Sequence, residues 1–374
     1  MKKNVTPRVC MLQPYLTPYR LGLFNELSRQ LDGNFTMLYF SKEESARKWT
    51  FERNVRFREV FLKTKVTATG YNSTRVRLSF LSLVWTLIKI RPAVIIADEG
   101  LPGRMVRCLQ PLLRFKLLFW TETNEIVIGA NRPKRWLARW LDRGVNAYIV
   151  PGQMSAQYLQ NLRDYKGPVY FAPNTIDRNR FACTEAAAAE KFKNQEIRFL
   201  FSGSLIPLKG IDSLLAAFER LAASAGLPAY RLDIIGDGTM EKRPVKNVTY
   251  HGYVNQDECA AFMKQAHVFV LPSLWDCNPL VVTEAVTAGC VTVLSDGVGN
   301  YPEYTDGNGF VFERGSADAL FDTLVKILRM DRGVLLTMAK RSLSIASEVS
   351  HENSARVLVQ AVMVVRKKNN TKYA

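Results

Sequence analysis

Short apolar runs alternate along the chain with longer stretches whose apolar residues recur every three or four positions, the pattern of buried strands separated by amphipathic helices. In the first half RVCMLQ, FTMLYF, AVIIADE, LLFWTE and AYIVP predict strands, RLGLFNELSRQL and PKRWLARWLD predict helices, and PVYFAPN leads out. In the second half RFLFSGS, RLDIIGDG, VTYHGYV, VFVLPS, VTVLSDG and GFVFE predict another set of strands, each followed by a helix or a loop. This alternation predicts an α/β protein with two doubly wound units. Ligands bind such sheets beyond the carboxyl ends of the strands, so candidate chemistry is sought in the loops that follow them. HENSARVLVQAVMVVRKKNN has a helical apolar stripe and a basic end. The most apolar stretch, FLSLVWTLIKIRPAVIIADE, is broken by Lys89, Arg91 and Pro92, which predicts a helix and a buried strand instead of a membrane span.

Two loops of the second half carry the candidate chemistry. In LPSLWDCNPLVVTEAVTAGCVTVLSDGVGN, Asp276 and Glu284 stand eight positions apart around a helix start. Asn278 suits the N-cap, Pro279 the first helical position and Gly289 the stop, which predicts a helix of about three turns. The leading amides of Leu280 and Val281 then have no intrahelical acceptor and, with the helix dipole, suit a diphosphate. Glu284, more than a turn inside, is placed to accept hydrogen bonds from ribose hydroxyls. A capped helix before a buried strand is common in α/β proteins, so this segment alone does not decide for function. The earlier segment IRFLFSGSLIPLKGIDSLLAAFERL adds a turn at Gly203, a cation at Lys209 and an amphipathic helix beginning at Asp212 or Ser213. A glycine turn and a lysine between strand and helix again suit phosphate.

Composition narrows the classes. With 374 residues, 47% of them hydrophobic, the chain can bury two cores of ordinary size. Its six cysteines form no CxxC and no paired spacing, which suggests neither a disulfide framework nor a zinc site and favours a reducing cytoplasm. MKKNVTPRVCMLQPYL lacks the sustained apolar run of a signal peptide. Residues 1–180 hold 30 Lys and Arg against 13 Asp and Glu, and residues 181–374 hold 21 against 21, so the net +17 resides in the first half. Clusters such as Arg53, Arg56, Arg58, Lys63 and Lys65, and the run from Arg132 to Arg143, fit either a solvated basic face or docking on an anionic lipid surface. Nucleic acid is the rival partner, but no zinc-finger spacing, RNP-like strand or basic recognition helix is evident.

These motifs, in this order, resemble the family 4 retaining glycosyltransferases (glycosyltransferase group 1), and in particular bacterial surface-polysaccharide members. PNTID (Pro173 to Asp177) looks like the interdomain segment, FSGSLIPLKG like the first donor loop, and IIGDG (Ile234 to Gly238) like the second. LPSLWDCNPLVVTEAVTAGCVTVLSDGVGNYPEY looks like the paired-acid motif, and QPYLTPYRLGLFNEL like the first loop and helix of bacterial members. The likeness spans most of residues 7 to 312 and is densest after 172. It departs at Asp276, where the family usually has Glu, at Ser204, where it often has Arg, and in the first half, which has no histidine. In FWTETN the position after the strand is filled by Thr121, Glu122 and Thr123, of which Glu122 is the candidate to face the cleft instead.

The resemblance implies the GT-B fold, two facing Rossmann-like domains with a cleft between them. The boundaries it suggests are 1–172 for an acceptor domain, 173–350 for a nucleotide-sugar donor domain, and 351–374 for a helix that crosses back. It implies transfer, with retention, from a UDP- or GDP-sugar to an acceptor hydroxyl on a lipid-linked glycan or oligosaccharide, without a cofactor or a metal. No Asp-x-Asp motif is present. Asp276, Glu284 and Lys209 are the implied catalytic residues. Gly203, Ser204, Lys209, Gly236, Asn278, Pro279, Leu280, Val281, Thr283 and Glu284 are the implied donor-binding set, with Arg20, Glu122 and Asn124 on the acceptor side. The expected location is the cytoplasm, at the inner face of the plasma membrane, with an anionic membrane and not nucleic acid as the surface partner. A GT-B sugar-nucleotide epimerase, or a basic nucleic-acid or lipid-binding protein without catalysis, is the alternative reading.

Overall fold

The computed structural model describes residues 6–41, 52–70, 73–128 and 135–367. They divide into two compact units, one within Met1–Glu122, Ala130–Thr175 and His351–Ala374, the other within Thr123–Gly129 and Ile176–Ser350.

In the first unit the strands are β1 (Val9–Gln13), β2 (Phe35–Tyr39), β3 (Arg58–Phe61), β4 (Thr64–Gly70), β5 (Ser73–Leu78), β6 (Val94–Ala97), β7 (Lys116–Trp120), β8 (Ala147–Val150) and β9 (Val169–Phe171). Seven of them form a sheet in the order β3-β2-β1-β6-β7-β8-β9, every pairing parallel, while β4 and β5 pair antiparallel. The central strands β1, β2, β6 and β8 are buried nearly throughout, which is why they read as continuous apolar runs. The edge strand β3 is exposed or half-buried along its length, and its REVF sequence gave no such run. Helix Pro18–Gln30 packs against helix His351–Lys367, which also meets β7, β8 and β9 and whose Ala355, Leu358, Ala361, Val362 and Val365 complete the core.

In the second unit β10 (Ile197–Ser202), β11 (Tyr230–Ile235), β12 (Val248–Gly252), β13 (Val268–Leu271), β14 (Val291–Ser295) and β15 (Gly309–Phe312) form an all-parallel sheet ordered β12-β11-β10-β13-β14-β15. This is the doubly wound order with its reversal between β10 and β13. Buried His267, just ahead of β13, locks this junction: its Nδ1 accepts from the Arg198 amide at 3.1 Å, and its Nε2 lies 2.8 Å from the Lys191 carbonyl.

The first unit continues to Thr175, where the motif reading set the boundary at 172, and Thr123–Gly129 groups with the second unit. Among the described residues no helix is long and apolar enough to cross a membrane.

Candidate functional site

The reversal between β10 and β13 directs two loops to the same carboxyl edge. The loop after β10 runs from Gly203 to Gly210, and the loop after β13 runs from Pro272 to Pro279. The Leu274 amide donates to the Leu208 carbonyl at 2.9 Å, joining them. Across this junction the Lys209 ammonium is bound to the Asp276 carboxylate, and both side chains are only partly exposed. Asp276 is fixed from behind as well: its amide donates to Gly297 O at 3.0 Å and its carbonyl accepts from Gly299 N at 2.7 Å. The cation read as a phosphate ligand is therefore already neutralised by the first acid of the motif.

The second glycine loop packs on the first. Gly203 N donates to Ile235 O and Leu205 N to Asp237 O, both at 3.0 Å. Gly236, at φ +126°, admits this approach, since a Cβ there would sit 1.9 Å from the Gly203 carbonyl oxygen. Ser204, half-buried between them, holds its carbonyl 3.0 Å from the Ile206 amide.

Helix Leu280–Thr287 follows Asp276 and differs from the sequence reading at its start and in its length. Pro279 is extended (φ −69°, ψ 120°) and occupies the cap, so the helix begins one residue later than expected, Asn278 lies ahead of the cap, and no side chain caps the helix. It has eight residues, about two turns instead of three. Gly289, at φ +69°, ends it: Cys290 N reaches Ala285 O and Gly289 N reaches Val286 O, a Schellman closure. Val282 N donates to Pro279 O at 3.2 Å, while the amides of Leu280 and Val281 meet no acceptor among the described residues.

The helical period separates the residues of this segment. Leu280, Val281 and Glu284 lie at i, i+1 and i+4 and share the half-buried side. Thr283 falls on the buried side, where its hydroxyl donates to Tyr304 Oη at 3.0 Å, so its side chain is turned away from the donor-binding position assigned to it. Burial pushes the Glu284 carboxyl up to about 7, against a smaller downward pull from Arg180. At neutral pH this side chain can thus both donate and accept.

Arg180 was missed by the sequence reading. It lies in the short helix Arg178–Phe181 just after PNTID and bonds Gln256 Oε1 at 2.6 Å. The resemblance marked that segment but singled out no cation in it. Tyr253, exposed just after β12, was also missed; its amide is held by Asp237 Oδ2 at 2.9 Å beside the second glycine loop. The predicted strand VTYHGYV ran through it, and Gly252, at φ +71°, was the available signal that the strand ends before Tyr253.

In the first unit, the reversal between β1 and β6 gathers a second polar group. Arg20, in the first turn of helix Pro18–Gln30, donates to Gln13 Oε1 at 2.7 Å and Glu122 Oε1 at 2.8 Å, and its guanidinium lies 5.4 Å from the centre of the Trp120 ring. Asn174 donates to the same Glu122 oxygen at 3.1 Å. Arg20 thus pairs with Glu122, while Glu26 on the same helix is taken by Arg29. Nearby Asp98 has its carboxyl pushed up by burial, opposed by the Gly100 amide and by Arg20. Asn124, assigned to the acceptor side, is buried in the second unit, where its Nδ2 donates to Cys277 O at 3.0 Å next to Asp276.

Residues 184–341 match the family model described as glycosyl transferases group 1. The chain is 24% identical over 261 residues to an uncharacterized 41.2 kDa protein in the cps region of Klebsiella pneumoniae, a match covering 64% of this chain and 70% of that one. It is 27% identical over 184 residues to the Escherichia coli UDP-Gal:alpha-D-GlcNAc-diphosphoundecaprenol alpha-1,3-galactosyltransferase, covering 45% of this chain but only 46% of that enzyme. In fold it is similar to HepE of Anabaena, solved with UDP and glucose, at a TM-score of 0.67 and 13% identity over 96% of this chain and all of that one. It is likewise similar to the sucrose-phosphate synthase of Thermosynechococcus elongatus, at a TM-score of 0.71 and 16% identity over 97% of this chain and 99% of that one.

Proposed function

We propose that the chain is a glycosyltransferase of the group 1 family with the GT-B fold, a reading that the match of residues 184–341 to that family's model supports, and that it moves a sugar, with retention, from a UDP- or GDP-sugar to a hydroxyl of a lipid-linked glycan in surface-polysaccharide assembly. One observation carries this reading: Lys209, Asp276 and the two unbonded amides of helix Leu280–Thr287 meet at the strand reversal of the second unit.

The chemical demand is stabilisation of a departing diphosphate. The Leu280 and Val281 amides and the helix dipole offer fixed positive charge there, and Lys209 joins them once the diphosphate competes with Asp276 for it. Loss of one preorganised donor of this kind raises a barrier by about 3 kcal/mol, on the order of a hundredfold in rate. Released from Lys209, Asp276 is free to accept from sugar hydroxyls. Glu284 binds the ribose diol, and the exposed ring of Tyr253 is a candidate to stack on the base. Gly203, Ser204, Gly236 and Asn278 shape the donor loops, while Arg20 and Glu122 act on the acceptor.

Support for the substrate classes comes from the names of relatives: UDP-glucose in a solved complex of HepE, and a diphosphoundecaprenol acceptor for the Escherichia coli galactosyltransferase. The basic first half favours an acceptor held at an anionic membrane surface from the cytoplasmic side. The test is a thermal-shift series with UDP, GDP, ADP and their sugar conjugates, with and without EDTA, on the wild type and on Glu284→Ala. One base should raise the melting temperature in the wild type, by mass action on the folded state, and fail to do so in the variant. No shift with any nucleotide at millimolar concentration would remove the donor-site assignment.

A further inference from the structure

Helix Phe80–Ile90 has two apolar sides. Leu83, Leu87 and Ile90 are buried in the first unit. Leu81, Trp85 and Ile88, spaced by four and three residues on the other side, are 78%, 61% and 43% exposed. Single exposed apolar residues are ordinary, but three large ones on one helical face form a patch that calls for a partner. Helix Leu101–Leu113 packs beside this helix and helix Arg135–Gly144 beside that one, and they contribute Leu112 and Trp136, 74% and 66% exposed.

The charge on these three helices identifies the partner. Lys89, Arg91, Arg104, Arg114, Arg139 and Arg143 are all exposed, and the Lys89 ammonium lies 5.0 Å from the centre of the Trp85 ring. No Asp or Glu occurs in 80–91 or 101–114. The one acid in 135–144, Asp142, is held by buried Arg163 at 2.5 Å. Exposed aromatic and aliphatic side chains interleaved with cations, and no free acid, complement an anionic lipid surface. A protein partner of ordinary composition would meet unopposed positive charge here.

We propose that helix Phe80–Ile90 lies in the surface of an anionic bilayer, with Leu81, Trp85 and Ile88 below the headgroups and the neighbouring cations among the lipid phosphates. The assignment deepens the membrane-bound acceptor reading and rests on it. It differs from that reading's charge argument in naming an apolar anchor, and it can be tested without any transfer reaction.

The test is co-sedimentation of the full chain with vesicles of phosphatidylglycerol mixed into phosphatidylcholine, and with vesicles of phosphatidylcholine alone. The comparison protein carries Leu81→Gln, Trp85→Gln and Ile88→Gln, three exposed positions at which folding tolerates polar residues. The wild type should bind the anionic vesicles and the variant should partition on the order of tenfold more weakly or less, because apolar burial adds to the electrostatic attraction. Equal partition of the two proteins, or no binding by the wild type, overturns the assignment. So does a wild-type dimer that the variant converts to monomer, since the face then belongs to a second copy. The nucleotide-induced thermal shift, measured on both proteins, is expected to be equal; its absence in both counts against the donor site alone, and the vesicle result still decides this one.

Discussion

At the scale of single residues, the pairing of Lys209 with Asp276 makes the donor site a charge exchange. An empty phosphate site with a free lysine beside helix-end amides would gather positive charge with nothing to offset it, and Asp276 offsets it. Asp276→Asn should therefore release Lys209 and let the variant bind UDP at least as tightly as the wild type does. Transfer should fall on the order of a hundredfold, as for loss of a preorganised polar group at the reacting sugar, and the gain in affinity from UDP to UDP-sugar should shrink. Calorimetric titration with both ligands checks this; a variant that loses UDP itself would mean that Asp276 holds the loop and not the sugar. The two residues lie 67 positions apart, and no spacing rule reaches across that distance. Their presence was legible from the motifs, their pairing was not, because it depends on how β10 and β13 become neighbours.

At the scale of elements, the apolar strands were legible because both faces of a parallel sheet are buried and leave continuous runs such as IRFLF and VTVLS. Arg58–Phe61 was missed because an edge strand needs no such run, and helix Leu280–Thr287 came out shorter than read chiefly because Pro279 takes the cap instead of the first helical position, while Gly289 ends the helix as its sequence suggested. The same dependence on context governs His267, whose neighbours on β10 and at Lys191 appear only in the fold. Burial holds its ring neutral and pushes its pKa down to about 4 from 6.5. The unfolded chain then binds the proton first, so the stability this residue contributes is complete above pH 6.5 and is lost as pH falls toward 4, to a total of about 3 kcal/mol. Glu284, with its carboxyl raised to about 7, acts oppositely: its contribution is complete below 4.5 and is lost as pH rises through 7. The net slope between these limits is the difference of the two. His267→Gln, which can keep an acceptor toward the Arg198 amide and a donor toward the Lys191 carbonyl, removes only the first. Its melting temperature should fall less than that of the wild type between pH 7 and 4.5; identical slopes would mean that the ring protonates without cost.

At the scale of the whole molecule, the first unit is not contiguous in sequence. The chain leaves it at Thr175 and returns at His351, where His351 Nδ1 lies 2.8 Å from Thr175 Oγ1 and Ser354 Oγ donates to Pro173 O at 2.9 Å. The returning helix is part of the core: Leu358, Val362 and Val365 are buried there with Leu23, Phe24 and Leu27. Full burial of three such side chains stabilises by about 1.5–3 kcal/mol each, a sum comparable with the whole stability of a domain, about 5–15 kcal/mol. Among the described residues, the apolar cluster of the second unit ends with Val349. A chain ending at Ser350 should therefore lose the cooperative melting of the first unit while the second keeps its transition and its nucleotide-induced shift. Differential scanning calorimetry with and without the nucleotide selected by the thermal-shift series separates the two. If the first unit melts unchanged without its terminal helix, the buried contacts do not stabilise it; if both transitions vanish, the units fold as one and the donor site depends on the terminal helix as well.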